Sequence, residues 1–458
     1  MPRNDKPMST LDRRDFLKAL GATLGLAGSG FGSPASAFGP LAPRADGRPL
    51  KVAAVITEFT YRSHAHVILE NFLGPYLFNG KKTDPGMEVV SLYVDEFPKK
   101  DMSREISKTF NIPIYPTIGQ ALRRDGKSLA VDAVLSIGEL GEYKVNEKGQ
   151  REYPRKRFFD QIVEVFVESD KVVPVFNDKH LSYRWDWAKE MYDTAVRLGI
   201  PFMAGSSVPL AARRPPLEFP SGTEFTSAIA IHGGPFEAYD FHGLEVLFSI
   251  IEARKGGETG VSSVQFLEGD ALWDAEKLGL WSSKLADAAM AAELGPGMPA
   301  LRELVKQPPF DGRPPHGLFL THKDGFRSAV LRIGKSSTRW NFAALVEEDD
   351  APKATSFYTG PWENRNLFKA FSRAIQAHFR DGKAPYPIER TLMTTGVLDA
   401  IAESHFQGNK LIETPQLEFG YQAVDFTAMR EMGDTWKLLT PDFPQPRGLD
   451  TSGQKFGT

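Results

Sequence analysis

The sequence predicts an α/β protein in which a doubly wound parallel sheet is followed by a C-terminal α+β domain with a mixed or antiparallel open sheet. Two observations lead to this fold class. Over residues 50–210, short and nearly continuous apolar runs alternate with helical patterns, as expected for strands buried on both faces. Over residues 211–412, strand-like runs follow one another and two helical patterns come last, which is typical of an α+β domain.

The first domain is predicted from five apolar runs, most of them rich in β-branched residues. They are residues 52–56, 89–94, 133–137, 172–176 and 200–203. Apolar residues at helical spacing occur over 159–167 and 185–198, and Gly199 is placed to end the second helix. Because consecutive parallel strands need long right-handed crossovers, we predict a Rossmann-like nucleotide-binding domain over residues 50–210.

The second domain, residues 211–412, is predicted to build its own sheet. Strand-like runs occupy residues 223–231, 318–321, 329–333 and 342–346, and helical patterns occupy residues 241–252, 366–379 and 389–406. The pair Asp324-Gly325 favours a hairpin turn between two of these strands. The proline-containing segment 413–458 is predicted to be an irregular tail.

The N-terminus has the pattern of a twin-arginine signal peptide. The Arg13-Arg14 pair precedes a weakly apolar stretch at residues 19–27, and Ala35-Ser36-Ala37 offers small residues for cleavage. We predict a signal peptide over residues 1–37, a linker over 38–49, and a periplasmic protein exported in the folded state. An amphipathic surface helix is the alternative interpretation of this segment.

Composition excludes several classes of protein. The 458 residues contain no cysteine, which excludes disulfides, thiolate metal sites, Fe–S clusters and a cysteine nucleophile. The formal net charge of −3 provides no basic surface for nucleic acid. No apolar run reaches the length of about 20 residues that a membrane-spanning helix needs.

Ligands of a doubly wound sheet bind beyond the carboxyl ends of its strands, so the residues after each strand are the first candidates. A dinucleotide-binding turn has glycines at the positions that Thr57, Phe59 and Arg62 occupy here. Arg62 could still pair with a phosphate, and the helix start behind it offers free N–H groups. Asp95 stands where a carboxylate can accept a hydrogen bond from a ribose hydroxyl, which favours NAD over NADP; a solvated loop carboxylate is the alternative.

Acid–base chemistry is expected at two further positions. Lys179 follows the fourth strand and is a candidate general acid or polarising group. His242 and Glu245 share one face of a helix, so that Glu245 or Asp240 could orient the imidazole; a capped helix start is the alternative. The pair His64-x-His66 has no third ligand at a recognisable spacing, and no metal site is predicted.

Aromatic residues give a further, weaker indication of a carbohydrate ligand. Four tryptophans could line a sugar groove, although aromatic residues are more often part of a core. They are Trp273, Trp281, Trp340 and Trp362.

These pieces together resemble the oxidoreductases grouped with glucose–fructose oxidoreductase, inositol dehydrogenase and MocA, the Gfo/Idh/MocA family. The resemblance covers most of residues 50–412 and is carried by several stretches. They are residues 87–95, 110–122 and 131–135, the run Asn177-Asp178-Lys179-His180, the segment from Gly233-Gly234 to His242-x-x-Glu245, and the last helix with Ala400, Ser404 and Gly408.

The resemblance implies an NAD(P)-dependent enzyme that acts on a sugar, sugar derivative or polyol, with Lys179 as the catalytic lysine and His242 as the substrate-facing histidine. It also implies possible homo-oligomers formed through the C-terminal sheet. Because free nucleotide is scarce outside the cytoplasm, an exported member would carry NAD or NADP tightly bound.

Three departures from the family pattern accompany the resemblance. The fingerprint glycines are missing, His180 replaces a proline, and Ala238 replaces an aspartate. A non-redox carbohydrate-binding or assembly protein that has lost the dinucleotide site is therefore an alternative, and a lyase or epimerase is a third option.

Overall fold

The structure is a computed structural model that describes residues 47–306, 313–334, 339–347, 349–450 and 452–456. The predicted signal peptide, residues 1–37, and most of the predicted linker lie outside the described residues. Among the helices described, none is long and apolar enough to cross a bilayer.

The first sheet has six parallel strands in the order β5-β4-β1-β6-β7-β8. These strands are β1 (Leu50–Ile56), β4 (Met87–Val94), β5 (Ile114–Tyr115), β6 (Ala133–Ile137), β7 (Val175–Asp178) and β8 (Phe202–Gly205); β2 (Tyr76–Phe78) and β3 (Lys81–Thr83) form a separate hairpin. Strand β1 has β4 on one side and β6 on the other, so the direction of winding reverses at β1. The carboxyl ends of all six strands meet at one edge beside this reversal, where doubly wound folds bind ligands.

Helices cover both faces of this sheet because alternate β1 residues point to opposite sides. On one face, Val52, Ala54 and Ile56 belong to a core shared with two helices that come from opposite ends of the chain. On the other face, Ala53 and Val55 belong to a core shared with three helices. The two helices on the first face are α1 (His64–Leu73) and α10 (Asn364–Asp381). The three helices on the other face are α3 (Ile118–Arg123), α4 (Arg155–Glu168) and α5 (Trp185–Leu198). Helix α2 (Ser103–Phe110) precedes β5.

The second sheet has eight strands in the order β16-β11-β12-β13-β10-β14-β15-β9. They are β9 (Ala212–Arg214), β10 (Phe225–His232), β11 (Val261–Glu268), β12 (His316–His322), β13 (Arg327–Arg332), β14 (Trp340–Val346), β15 (Lys353–Tyr358) and β16 (Ile412–Glu413). Only the β10–β13 pair is parallel, so the sheet is mixed. The fold class predicted from the sequence is confirmed, as is the β12–β13 hairpin, whose turn places Gly325 at a φ of +84°.

Seven further α-helices are described. They are α6 (Ala238–Ile251), α7 (Asp270–Lys277), α8 (Ser283–Leu294), α9 (Leu301–Leu304), α11 (Ile388–Phe406), α12 (Thr435–Leu438) and α13 (Ser452–Lys455). Helices α7 to α9 have no counterpart in the sequence prediction. The described residues of both sheets belong to one compact unit, and the domain boundaries stay predictions.

Two strands of the first sheet begin later than their apolar runs. The run 172–176 and the run 200–203 contain Pro174 and Pro201, and β7 and β8 start directly after these prolines. A proline has no N–H to donate to a sheet ladder, which explains the later start. The strands then extend beyond the apolar runs to Asp178 and Gly205, which brings polar groups to the ligand-binding edge.

The tail after β16 packs against the first sheet's helices. Arg365 at the start of α10 forms a buried ion pair with Glu70 of α1, and its guanidinium also donates to the carbonyls of Pro446 and Gly448. Glu70 in turn accepts the N–H of Asp450 at 2.9 Å. The tail is therefore held by the two helices that cover one face of the parallel sheet.

Candidate active site

Lys179 lies at the carboxyl edge of the first sheet, directly after β7. Its backbone has a φ of +67°, and its N–H and C=O pair with those of Gly205 at 3.2 Å. A positive φ costs a lysine of the order of 1–3 kcal/mol, so the surrounding structure fixes this conformation. The buried Nζ lies 3.5 Å from Oε1 of Glu139 and 3.3 Å from the carbonyl oxygen of Ala238.

Glu139, two residues after β6, is the counter-charge for two buried cations. Its carboxylate accepts from Arg155 Nη2 at 2.6 Å in addition to facing Lys179. Burial alone would raise the pKa of Glu139, but the charges of Lys179 and Arg155 lower it to about 2. Arg155 can lie this close to the chain because residue 138 is glycine: a Cβ at Gly138 would lie 2.8 Å from Arg155 Cγ.

His180 and Glu237 extend the cluster on the side of the second sheet. Nε2 of His180 accepts from Arg155 Nη1 at 3.0 Å and lies 3.4 Å from Oε1 of Glu237. Burial, followed by the charge of Arg155, lowers the pKa of His180 far below its usual value. The imidazole of His180 is therefore neutral, and the arginine occupies its only acceptor nitrogen.

Glu237 is held in a strained turn at the start of α6. Its φ of +65° and ψ of −68°, with an N–H to C=O bond from Ala238 to Phe236, define the rare γ-turn of positive φ. Burial raises the pKa of Glu237 to about 7, with the nearby charge of Glu139 acting in the same direction and Arg155 opposing it. Such a carboxyl group can take up and release a proton near neutral pH.

His242 is held by Ser206 and not by a carboxylate. Ser206 Oγ lies 2.6 Å from His242 Nδ1 and also accepts the N–H of Val208, so its own proton is free to go to Nδ1. Burial, followed by the charge of Lys179, lowers the pKa of His242 far below its usual value. His242 is thus neutral and carries its proton on Nε2.

The expectation that Glu245 or Asp240 orients His242 is wrong. The Glu245 carboxylate turns away to accept from the hydroxyls of Thr391 and Thr394 on α11. Both residues sit on the buried side of α6, where other elements supply their partners.

Asp240 lies in a separate buried network. Its Oδ1 accepts from Nε2 of His232 at 3.0 Å and from Nε2 of His316 at 2.8 Å, and its Oδ2 accepts the N–H of Glu237. Among the described residues, these three side chains form the group that could hold a metal ion, because one ligand atom from each lies within 4.8 Å of the other two. Against burial, the two imidazoles hold the pKa of Asp240 far below its usual range. The network fixes the start of α6 and with it the turn at Glu237.

An aromatic pair forms the wall beside His242. Tyr239 and Trp340 stack with centroids 5.7 Å apart and planes 8° apart, and Trp340 lies 5.5 Å from the imidazole. Trp273 and Trp281 instead belong to the core under α7 and α8. Of the four tryptophans considered for a sugar groove, Trp340 is the one beside the site's imidazoles.

The pairing of His64 with Asp178 is not predicted from the sequence. His64 is the first residue of α1, and its Nδ1 lies 2.6 Å from Oδ2 of Asp178 at the end of β7. His66 is fully buried and its Nδ1 accepts the N–H of Arg62, so the two histidines of the His-x-His pair have different partners. His64 comes after β1 and Asp178 ends β7, and this placement at the carboxyl ends of two parallel strands is the signal that could have found them.

The residues predicted to bind a dinucleotide are engaged within the protein. Thr57 donates to the Glu139 carbonyl at 2.6 Å, and Phe59 is fully buried. Arg62 pairs with Glu363 at 2.7 Å. The carboxylate of Asp95 accepts from three donors, which outweigh the effect of burial and lower its pKa; the donors are Tyr143, Tyr93 and Arg157.

A loop crosses the end of β1, where a dinucleotide of this fold would lie. The loop follows β6, yet Glu142 donates its N–H to Glu96 at 2.8 Å and Tyr143 donates to Asp95 at 2.6 Å, both beyond the end of β4. Because β1 lies between β4 and β6, these contacts pass over its carboxyl end. In this conformation the residues present do not fit a dinucleotide.

No protein-family model matches the chain, and no curated protein matches its sequence. Among solved structures, the chain is similar to GenD2 from gentamicin A biosynthesis in complex with NAD, with a TM-score of 0.50, 11% identity, and coverage of 82% of this chain and 99% of GenD2. It is also similar to myo-inositol dehydrogenase from Lactobacillus casei in complex with NAD(H) and myo-inositol, with a TM-score of 0.48, 14% identity, and coverage of 80% and 96%. A third similar structure is a probable dehydrogenase from Thermotoga maritima, with a TM-score of 0.48, 10% identity, and coverage of 80% of this chain and 100% of the dehydrogenase. The chain has the fold of Gfo/Idh/MocA-type oxidoreductases, as its sequence predicts.

Replacing Glu237 with glutamine should change how stability depends on pH. Because burial raises the folded-state pKa of Glu237 to about 7, its protonated form stabilises the fold fully below the ordinary pKa of 4.5, and this contribution is lost as the pH rises through about 7. Between about pH 5 and pH 8, the free energy of unfolding of the parent should therefore fall by roughly 3 kcal/mol more than that of Glu237→Gln. Urea unfolding across this range measures the difference.

The matched control for this experiment is Glu142→Gln, which changes an exposed carboxylate on the neighbouring loop. It should leave the pH dependence of the parent unchanged. Parallel curves for the parent and Glu237→Gln would show that Glu237 does not titrate in this range.

Proposed function

We propose that the protein is an exported NAD(P)-dependent oxidoreductase that acts on a sugar, a sugar derivative or a polyol. The observation that carries the proposal is the buried ammonium of Lys179, held against Glu139 and the Ala238 carbonyl at the ligand-binding edge. The fold supports the redox assignment, because GenD2, which has this fold, was crystallised with NAD. Assembly into homo-oligomers through the C-terminal sheet stays a prediction.

The residues of the cleft divide the work of binding and proton transfer. Lys179 donates a hydrogen bond to a substrate oxygen and stabilises negative charge that develops there, while Glu139 holds the ammonium in place. His242 offers Nε2–H as a second donor to the substrate. The Tyr239–Trp340 pair provides an apolar wall against which a sugar ring can stack.

Dinucleotide binding requires residues 138–143 to separate from Asp95 and Glu96. Tyr143→Phe removes one of these contacts, worth about 1 kcal/mol, and should therefore raise the affinity for NAD(H) or NADP(H) roughly 5-fold. The control is Tyr115→Phe on β5, which should not change the affinity. Calorimetric titration of the processed protein, with mass analysis of nucleotide released on denaturation, measures both quantities.

The second candidate function is a non-redox protein, either an acid–base enzyme such as a lyase or epimerase or a carbohydrate-binding or assembly protein. The observation that favours it is the loop that crosses the end of β1. If the parent and Tyr143→Phe release no nucleotide and bind none, the redox proposal is wrong and this second candidate stands.

Lys179→Ala should lower turnover strongly without unfolding the protein. Loss of a positioned acid–base group lowers kcat by roughly 100-fold or more. Lys171→Ala, at an exposed position of the same sheet's connections, is the matched control and should keep the parent's kcat. Turnover that persists in Lys179→Ala on a confirmed substrate would contradict the assigned role.

Export is proposed from residues 1–37 and can be tested in cells. Arg13→Lys combined with Arg14→Lys should leave the chain unprocessed in the cytoplasm, because twin-arginine export depends on the arginine pair. Fractionation and mass measurement of the mature chain report the outcome. Unchanged export of the double variant would show that the segment is not a twin-arginine signal.

A further inference from the structure

We propose that His64 and Asp178 form a catalytic dyad in which His64 accepts a proton from a substrate hydroxyl group. The proposal rests on the proposed function, since the hydroxyl belongs to the sugar or polyol. It concerns proton transfer alone, and it assigns this role to a residue pair outside the acid–base positions that the sequence indicates.

The geometry of the pair fixes which nitrogen of a neutral imidazole carries the proton. Asp178 Oδ2 accepts at 2.6 Å, so Nδ1 of His64 carries the proton and Nε2 keeps its lone pair. The Asp178 side chain is 1% exposed and the His64 side chain is 14% exposed, so the carboxylate is buried and the imidazole is the more exposed member of the pair. The ring of Phe368 meets the imidazole edge-on at 4.7 Å and restricts its rotation.

The dyad lies at the same edge of the parallel sheet as Lys179. Asp178 is the last residue of β7 and directly precedes Lys179 in the chain. His64 begins α1 after the first strand, at the crossover where a dinucleotide-binding fold places its glycines. The first crossover of this chain thus supplies an imidazole to the cleft.

The other two imidazoles of the cleft cannot take this role as they stand. His180 accepts from Arg155, so its acceptor nitrogen is occupied and a positive charge faces it. His242 is hydrogen-bonded to a serine hydroxyl, which does not compensate the charge of an imidazolium. His64 has a carboxylate partner that does compensate this charge.

The proton transfer balances with the groups present. The substrate O–H bond breaks, the proton goes to Nε2 of His64, and the electron pair stays on the substrate oxygen. Asp178 stabilises the imidazolium, and the Lys179 ammonium stabilises the alkoxide. The reverse transfer regenerates the neutral imidazole.

The first test follows the imidazole itself and does not depend on turnover. Histidine side chains of the processed protein are labelled with ¹⁵N, and the His64 signal is assigned by its loss in His64→Gln. We expect the Nδ1–H tautomer in the parent, a changed tautomer balance in Asp178→Asn, and a shift of the His64 signal on addition of myo-inositol or glucose. A His64 signal that responds neither to Asp178→Asn nor to either compound overturns the proposal.

The second test measures turnover on a substrate that the parent converts. His64→Ala should lower kcat roughly 100-fold with KM changed less than about 3-fold, and added imidazole should restore part of the rate. Asp178→Asn should lower kcat without rescue by imidazole, and His405→Gln, on α11, should match the parent. Parental turnover in His64→Ala overturns the dyad, whereas a parent that converts no sugar or polyol defeats the proposed function and leaves the first test to decide.

Discussion

The ion pairs of Glu139 with Lys179 and Arg155 are the interactions on which the candidate active site depends. Two cations, Lys179 and Arg155, are buried within contact distance of it. Burying charge is costly unless each ion is paired and hydrogen-bonded, and removing one partner of such a group typically costs 3–5 kcal/mol. Glu139, which follows β6 and is itself held by Arg155, is therefore the carboxylate that pairs with the buried Lys179 side chain.

Backbone strain accompanies this charge arrangement on both sides of the cleft. Lys179 on the first sheet and Glu237 at the start of α6 each adopt a positive φ, which side chains with a Cβ rarely do. Each conformation is fixed by neighbours: the Gly205 backbone for Lys179, and the Asp240 network for Glu237. The strain is balanced by these contacts, and the polar ends of both side chains are positioned before any ligand arrives.

The sequence indicated the sheets but not the contacts that decide the site. Strands buried on both faces give continuous apolar runs, so β1, β4 and β6 could be predicted, whereas the starts of β7 and β8 depend on single prolines. Lys179 and His242 could be placed at the ligand-binding edge from their positions after β7 and on α6. Their partners could not be placed in the same way.

Those partners are distant in the chain and come from packing. His64 meets Asp178 across 114 positions, and Arg62 meets Glu363 across 301. No periodicity encodes such pairs, because they depend on how α1 and α10 settle on the same face of the sheet. The engagement of Asp95 by Tyr143 has the same origin, since the loop after β6 reaches over β1.

The buried pair of Glu70 and Arg365 has a consequence for the order in which the molecule is completed. Glu70 belongs to the helix that begins with His64, and the groups that saturate the pair come from residues 446–450. Until residues 446–450 are synthesised and packed in place, Glu70 and Arg365 lack these hydrogen-bond partners. The helix that carries His64 therefore gains these packing contacts only after residues 446–450 have been synthesised.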